Sequence, residues 1–522
     1  MKNSWQGWTG WCAAVLVLAL AACAPARTPP AVVDADAAPK LRQNVFSVGF
    51  ASISKKYLGD IALGSMALEG LKGLGAVDPA LTVSRLGNTV TLAAAGKTVG
   101  SFPAPGDDDA EGWAALVLKL SRAGHAVSLE LREADAEKIY EAVYDGALSN
   151  LDIYSRYAGA EDARRNRAKR QGFGGIGIRI RAEKGVVSIS AVMPKTPAAR
   201  AGLRRGDRIT HIDGYATAGM RVRQAAGKLR GARKSRVKLT IARGGEAKPL
   251  RFAIKRAHIV AQTVFVSQKD GFVTLRVSGF NKNTALGMAE HLRKARRELG
   301  DGMRGVVLDL RGNPGGLLKQ SIKVVDLFLS DGQIISTRGR HPDSHQHYEA
   351  GGDDLALGLP VAVLVDGKSA SAAEIIAAAL QDRGRAAVIG TTSFGKGTVQ
   401  TVIRLPNDGE ITLTWSRLLA PSGYAFHGLG VRPSICTSGV AVDGRNVIAK
   451  ALVDSVKTAA TLAAWRRVEL DETAGRKSLR ASCPAERRKA SLELDVARRL
   501  LNDRALYDRA LDLMEDTAEA NQ

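Results

Sequence analysis

Lys368-Ser-Ala-Ser-Ala-Ala-Glu374 is followed, after one more helix and strand, by Ser393-Phe-Gly-Lys-Gly-Thr-Val-Gln400. The first stretch lies between an apolar run, residues 361–365, and a helical run, residues 372–381. That order is strand, tight turn, helix. It puts Ser371 at a helix N-terminus, where unpaired backbone N–H groups surround the hydroxyl. The second stretch holds Lys396 between two glycines, which let backbones approach closely or take unusual dihedrals. A serine becomes a nucleophile when a base takes its proton, and a lysine serves when burial lowers its pKa. An ordinary reading stands beside this one. Ser371 and Glu374 have the spacing of a helix capping box, and a lysine in a glycine turn is commonly just solvated.

Upstream, the apolar strand 305–310 runs into Arg311-Gly-Asn-Pro-Gly-Gly316 and then a helix, residues 317–329. A glycine loop between strand and helix aims N–H groups at one spot. The blocks Leu308-Asp-Leu-Arg-Gly-Asn-Pro-Gly-Gly316, Ser369-Ala-Ser-Ala-Ala-Glu374 and Phe394-Gly-Lys-Gly-Thr-Val-Gln400 occur in this order. Together they resemble the C-terminal processing (tail-specific) peptidases, Ser–Lys endopeptidases with an inserted PDZ domain. The resemblance runs from about residue 148 to 433. It implies Ser371 as nucleophile, Lys396 as general base and Gln400 as a lysine-orienting amide. It also implies an oxyanion hole from Ala372 and from Gly315 or, preferably, Gly316. One departure is Ala373 before Glu374, where the family has serine.

The resemblance implies an α/β (α+β) multidomain fold, a mixed-sheet protease core with an inserted PDZ domain and helical flanks. The expected division is 1–22 signal peptide, 23–40 tether, 41–170 mainly helical region, 171–257 PDZ domain, 258–436 protease core and 437–522 helical region. Within 41–170, residues 45–74 read as amphipathic helix and 81–102 as a hairpin turning at Asn88. Residues 487–513 read as surface helices.

Gly172-Phe-Gly-Gly-Ile-Gly177 has dinucleotide-loop spacing but is followed by a strand, which argues against that use. It resembles a PDZ carboxylate-binding loop, in which Gly174, Gly175, Ile176 and Gly177 would hold a chain-terminal carboxylate while the tail adds as a strand. Residues 200–258 carry 17 Lys or Arg against Asp207, Asp213 and Glu246, a balance of +14 in a chain of net charge +23. Such a surface is either simply solvated or drawn to anionic lipid or acidic tails.

The N-terminus decides against nucleic acid. Lys2 precedes a short apolar run, residues 11–22, ending in Leu20-Ala-Ala-Cys23. That resembles a bacterial lipobox with Cys23 lipidated, as against an ordinary signal cleavage nearby. Either way the protein is exported. Ala24 in place of aspartate favours the outer membrane, facing the periplasm. In that oxidising compartment Cys436 and Cys483 form either a disulfide or two buried thiols.

No metal or cofactor is expected. His341, His345 and His347 share one polar loop without a completing carboxylate or cysteine pattern. Residues 390–397 nearly match a phosphate-binding loop but end in Gly397 instead of Ser or Thr. The implied reaction is hydrolysis of peptide bonds in envelope proteins through an acyl-enzyme, with a homo-oligomer or an adaptor protein left open. Three alternatives remain: a lipid-anchored PDZ scaffold or pseudoprotease, an ATP-dependent envelope factor, and His427 as the base.

Overall fold

Every residue of Val361–Val365 is buried, and so is every residue of Gly305–Asp309. Strands apolar on both faces belong at the centre of a parallel sheet covered on both sides. The computed structural model of the chain describes residues 37–440, 447–453, 455–487 and 491–515. The signal segment, Cys23 and the tether up to residue 36 lie outside them. Both strands sit mid-sheet, in the order Val264–Lys269, Phe272–Val277, Gly305–Asp309, Val361–Val365, Ala387–Gly390, Ile435–Cys436. The first pair is antiparallel and each later pair parallel.

Alternation along the strands divides the core. Val306, Leu308, Val363 and Val365 face the helices Thr284–Leu299, Leu318–Val325 and Ala372–Asp382. Val307, Ala362 and Leu364 face Leu492–Asn502 and Arg504–Glu515. Those last two helices are therefore not the surface helices expected from their charge. They bury Val496, Leu500, Tyr507 and Leu513 against the sheet, and the Tyr507 hydroxyl donates to the carbonyls of Val361 and Arg385.

A second sheet runs Gln346–Glu349, Gln333–Arg338, Glu410–Leu419, Thr398–Arg404. The short strand Arg156–Ala158 pairs with Glu410–Leu419 as well. This pairing brings the segment around residues 152–158 to the lysine loop.

The N-terminal region has a core of its own, but Ile403, Leu405, Ile411 and Leu413 of the second sheet complete it. The helix expected over 45–74 is two, Ala37–Lys56 and Leu63–Lys72, and the first begins inside the expected tether. The expected hairpin gains a third strand, Lys97–Pro103, through a second turn at Ala95 and Gly96, both at positive φ. Asp109, Ser128 and Asp135 cap the helices that follow, each accepting a backbone N–H three residues on.

Residues 173–259 fold around a separate small core. Their sheet runs Leu250–Lys255, Arg236–Ala242, Arg208–Ile212, Val186–Val192, Ile178–Glu183, with the helix Val222–Leu229 beside the last strand. Ile178–Glu183 is an edge strand.

Cys436 and Cys483 are joined, 47 residues apart in sequence. The bond ties the last strand of the central sheet to the end of the helix Thr473–Ala481. Replacing both cysteines by alanine is expected to lower the unfolding free energy by about 2–4 kcal/mol. Denaturant titration with and without reductant reads this. An unreduced wild type no more stable than the double variant would show that the bond does not form.

Candidate active site

Ser371 has φ +57° and ψ −115°, a backbone conformation costly for any residue with a side chain. Hydrogen bonds from both sides hold it there. Ala370 N–H donates to the Asn313 carbonyl at 2.9 Å. The Ser369 hydroxyl donates to the Leu310 carbonyl at 2.8 Å. The loop 311–316 lies against the turn because Gly315 has no side chain: a Cβ there would stand 2.8 Å from that of Ser371 and 2.7 Å from the Ala370 carbonyl oxygen.

Glu374, one turn into the helix, is fully buried. Its Oε2 accepts the N–H of Ser371 at 2.6 Å and of Lys396 at 2.9 Å. Its Oε1 accepts the Ser393 hydroxyl at 2.5 Å and the N–H of Gly395 at 2.6 Å. Burial pushes the pKa of this carboxyl up, and the four donors push it back. Burial is the larger effect, and two donors on each oxygen are the arrangement that suits a carboxylate. It binds the serine turn and the lysine loop into one unit. From sequence, Glu374 read only as a cap.

Lys396 is half-buried, and its Nζ lies 4.5 Å from the centre of the Tyr154 ring. Burial lowers its pKa, and the charge of Arg156 adds to this, while Asp152 and Glu374 oppose it. Asp152 fixes the Tyr154 turn by accepting the N–H groups of Tyr154 and Ser155, at 2.7 and 3.0 Å, and the Thr414 hydroxyl at 3.0 Å. No hydrogen bond joins Ser371 Oγ to Lys396 Nζ among the described residues. Gln400 makes none to Lys396 either. Its amide donates to the hydroxyls of Thr398 at 3.0 Å and Thr414 at 3.3 Å. The contact that Lys396 Nζ does make is with the Tyr154 ring. Tyr154, Asp152 and Arg156 had no part in the site as read from sequence; the pairing of Arg156–Ala158 with Glu410–Leu419 brings them here.

Around the serine, the N–H of Gly315 is already taken by Asn313 Oδ1 at 2.8 Å. The N–H groups of Gly316 and Ala372 have no acceptor among the described residues, and Gly316, at φ +151°, takes a backbone conformation that suits glycine. His427 packs on Tyr154, with its Nδ1 buried and without a partner. Burial and neighbouring Arg417 and Arg476 lower its pKa.

In the small domain, Gly174 and Gly175 pair with Ala257–Ile259 in a two-stranded ribbon. Ile176 is buried, and Gly177 sits at φ +87°. The N–H groups of Ile176 and Gly177 reach no backbone acceptor among the described residues. The lysine loop is followed by the strand Thr398–Arg404, not a helix, which removes the resemblance to a phosphate loop. His345 bonds the Gly339 carbonyl and His347 pairs with Glu349, so the three histidines do not converge. Among the described residues, no three His, Cys, Asp or Glu side chains cluster as metal ligands would.

Residues 272–437 match peptidase family S41 and residues 188–243 match a PDZ domain. A carboxy-terminal-processing protease of Bartonella bacilliformis is 40% identical over 303 residues, covering 58% of this chain and 70% of that one. A carboxy-terminal processing protease of Bacillus subtilis is 36% identical over 327 residues, covering 61% and 67%. A solved photosystem II D1 C-terminal processing protease aligns with a TM-score of 0.35 at 25% identity, over 61% of this chain and 91% of that one. The family matches, together with the identity to the Bartonella bacilliformis and Bacillus subtilis proteases, place the chain in peptidase family S41, as a PDZ-bearing serine protease of the carboxy-terminal processing group.

Proposed function

We propose that the chain cleaves peptide bonds in C-terminal tails with a Ser371–Lys396 dyad. The observation that carries this is the buried Glu374 carboxylate, which fastens a strained serine turn and a desolvated lysine loop to each other. Neutral Lys396 leaves the Tyr154 ring, takes the proton from Ser371 Oγ, and the oxygen attacks the scissile carbonyl. The N–H groups of Gly316 and Ala372 receive the oxyanion, each worth about 3 kcal/mol of barrier. The lysine returns its proton to the leaving amine, and water then releases the acyl group. Gln400 holds Thr398 and Thr414, the second of which holds Asp152, so it positions the lysine's surroundings.

The substrate enters through the PDZ domain. The edge strand Ile178–Glu183 and the helix Val222–Leu229 bound a groove in which a tail adds as one more strand, its carboxylate on the free N–H groups at Ile176 and Gly177. Cys23 anchors the protein by lipid to the periplasmic face of the envelope, and its substrates are envelope proteins.

Degradation of an unfolded protein with an apolar tail, by the chain lacking residues 1–23, is expected to stop with Ser371→Ala. It should fall on the order of 10²–10⁴-fold with Lys396→Ala. His427→Ala should keep cleaving, and the reverse pattern would make His427 the base. Charged tails should be degraded more slowly than apolar ones.

Activity should rise with pH as Lys396 loses its proton, along a limb lying below the ordinary lysine value. Arg156 lowers that pKa, so Arg156→Gln should move the limb to higher pH. A limb unmoved, or moved down, would show that another group titrates.

Mass spectrometry of the full-length protein from membranes should find a diacylglyceryl group on Cys23 as the first residue. A free cysteine, or cleavage elsewhere, would remove the anchor.

A further inference from the structure

A cavity of about 570 Å³ opens behind the lysine loop, and Arg417, Arg476, Lys477 and Arg480 line it together with His427. No Asp or Glu lines it. None of the four cations has a carboxylate partner among the described residues. Arg476 donates to the carbonyls of Ala425 and His427, and Arg480 to those of Ser393 and Leu429. Carbonyls orient a guanidinium but leave its charge uncompensated. Arg476 is 6% exposed, so water does not compensate it either. Burial lowers the pKa of both arginines; the charge of Arg480 adds to the effect on Arg476, while the nearby Glu374 opposes it on Arg480. Clustered, partly desolvated like charges raise the potential of a concave site and draw an anion to it.

The cavity shares its wall with the catalytic loop. Arg417 is the cross-strand partner of Thr398, two residues beyond Lys396. Leu418 N–H donates to the Gly397 carbonyl at 2.9 Å, and Gly428 N–H to the Gly395 carbonyl at 2.8 Å. A second cavity, of about 610 Å³, shares Arg417 and adds Arg338, Arg340 and Arg467. Asp60 and Glu469 line that second cavity too, and Arg340 pairs with Asp60, so the wall without carboxylates is that of the first cavity.

We infer that this cavity is a subsite for a carboxylate carried by the substrate peptide. Either an Asp or Glu side chain near the scissile bond or the terminal carboxylate of a short tail supplies it. Guanidinium forks suit a carboxylate, and the anion that reaches this place in a peptidase is part of a peptide. The inference rests on Ser371 and Lys396 being the reacting pair, since the cavity wall is joined to the lysine loop through Arg417, Leu418 and Gly428. It gives the helix Thr473–Ala481 a role: it carries three of the four cations, and the Cys436–Cys483 bond fixes its end.

Peptides differing only by Glu or Gln at each position around one cleavage site test this, made with free and with amidated C-termini. Arg417→Glu combined with Lys477→Glu is the variant, because both side chains are exposed and neither is paired. In the wild type, Glu at one position, or the free terminus, should improve kcat/KM about tenfold through KM, the worth of one charge-assisted hydrogen bond. The double variant should lose that preference, and Lys at the same position should become favoured. Anisotropy binding of the amidated peptides to Ser371→Ala, and to Ser371→Ala carrying the double substitution, gives a readout free of catalysis and of terminal-carboxylate capture by the PDZ domain. Preference in binding without cleavage by the wild type would overturn the Ser–Lys reading and, with it, the placing of the subsite at a scissile bond. Cleavage without charge preference at any position, or preference unchanged in the double variant, would overturn the subsite alone. An effect confined to the free terminus would identify the tail carboxylate as the occupant.

Discussion

Everything at the site hangs on one buried carboxylate. A charge with no exposure is expensive, and Glu374 is tolerable only because four donors saturate it. Those donors come from two loops, which the bond from the Phe394 N–H to the Ser369 carbonyl at 3.0 Å also joins. The Ser371 N–H keeps the serine turn in its strained conformation, and Ser393, Gly395 and Lys396 set the lysine loop. Ser393 extends the network, since its oxygen also accepts the Val431 N–H at 2.7 Å. A small change in either loop would leave a buried donor or acceptor unpaired, so the two loops move together or not at all.

The lysine side chain is held less firmly than its backbone. Its backbone N–H is locked to Glu374, whereas the ammonium end lies on the Tyr154 face. A cation–π contact favours the charged lysine by roughly 0.5–2 kcal/mol, against the desolvation that favours the neutral form. The segment carrying Tyr154 is pinned by Asp152 to Thr414 and by the strand Arg156–Ala158 to Glu410–Leu419. That same segment joins the N-terminal core to the PDZ domain. The N-terminal region, which completes its core with Ile411 and Leu413, is thereby part of the lysine's environment.

The central strands, the helix after Ser371 and the glycine loop at 311–316 were legible because each signal is local. Continuous apolar runs fixed buried strands, and three short motifs in order fixed the family. Gln400 was assigned by motif, yet its amide turned to Thr398 and Thr414, because a bulge between Val399 and Gln400 shifts the strand's register. The parts that Asp152, Tyr154 and Arg476 play at the site were illegible for a different reason. Each reaches the site through pairing or packing with residues far away in sequence, and nothing near them marks the destination. The C-terminal helices were placed on the surface because their charges hide a narrow apolar stripe, and the sheet they cover supplies no sign of its need.

The cations behind the lysine loop stand close to the lysine in the chain pairing, Arg417 being the cross-strand partner of Thr398. A neutral base is favoured where positive charge surrounds it, and Arg156 contributes directly to that. A carboxylate entering the cavity beside Arg417 and Arg480 cancels part of this field, which by itself favours protonated Lys396. Yet the carboxylate meets the arginines at contact distance, whereas the lysine feels it across the loop. Coulomb energy falls with separation and effective dielectric, so the contact gain exceeds the loss at the base. The net effect of such a residue is tighter binding with a slightly weaker base. An acidic side chain that bound equally well but stood nearer Lys396 would lose in turnover what it gained in affinity. Positive charge in the cavity thus serves substrate binding, whereas the positive charge that favours the neutral base is that of Arg156.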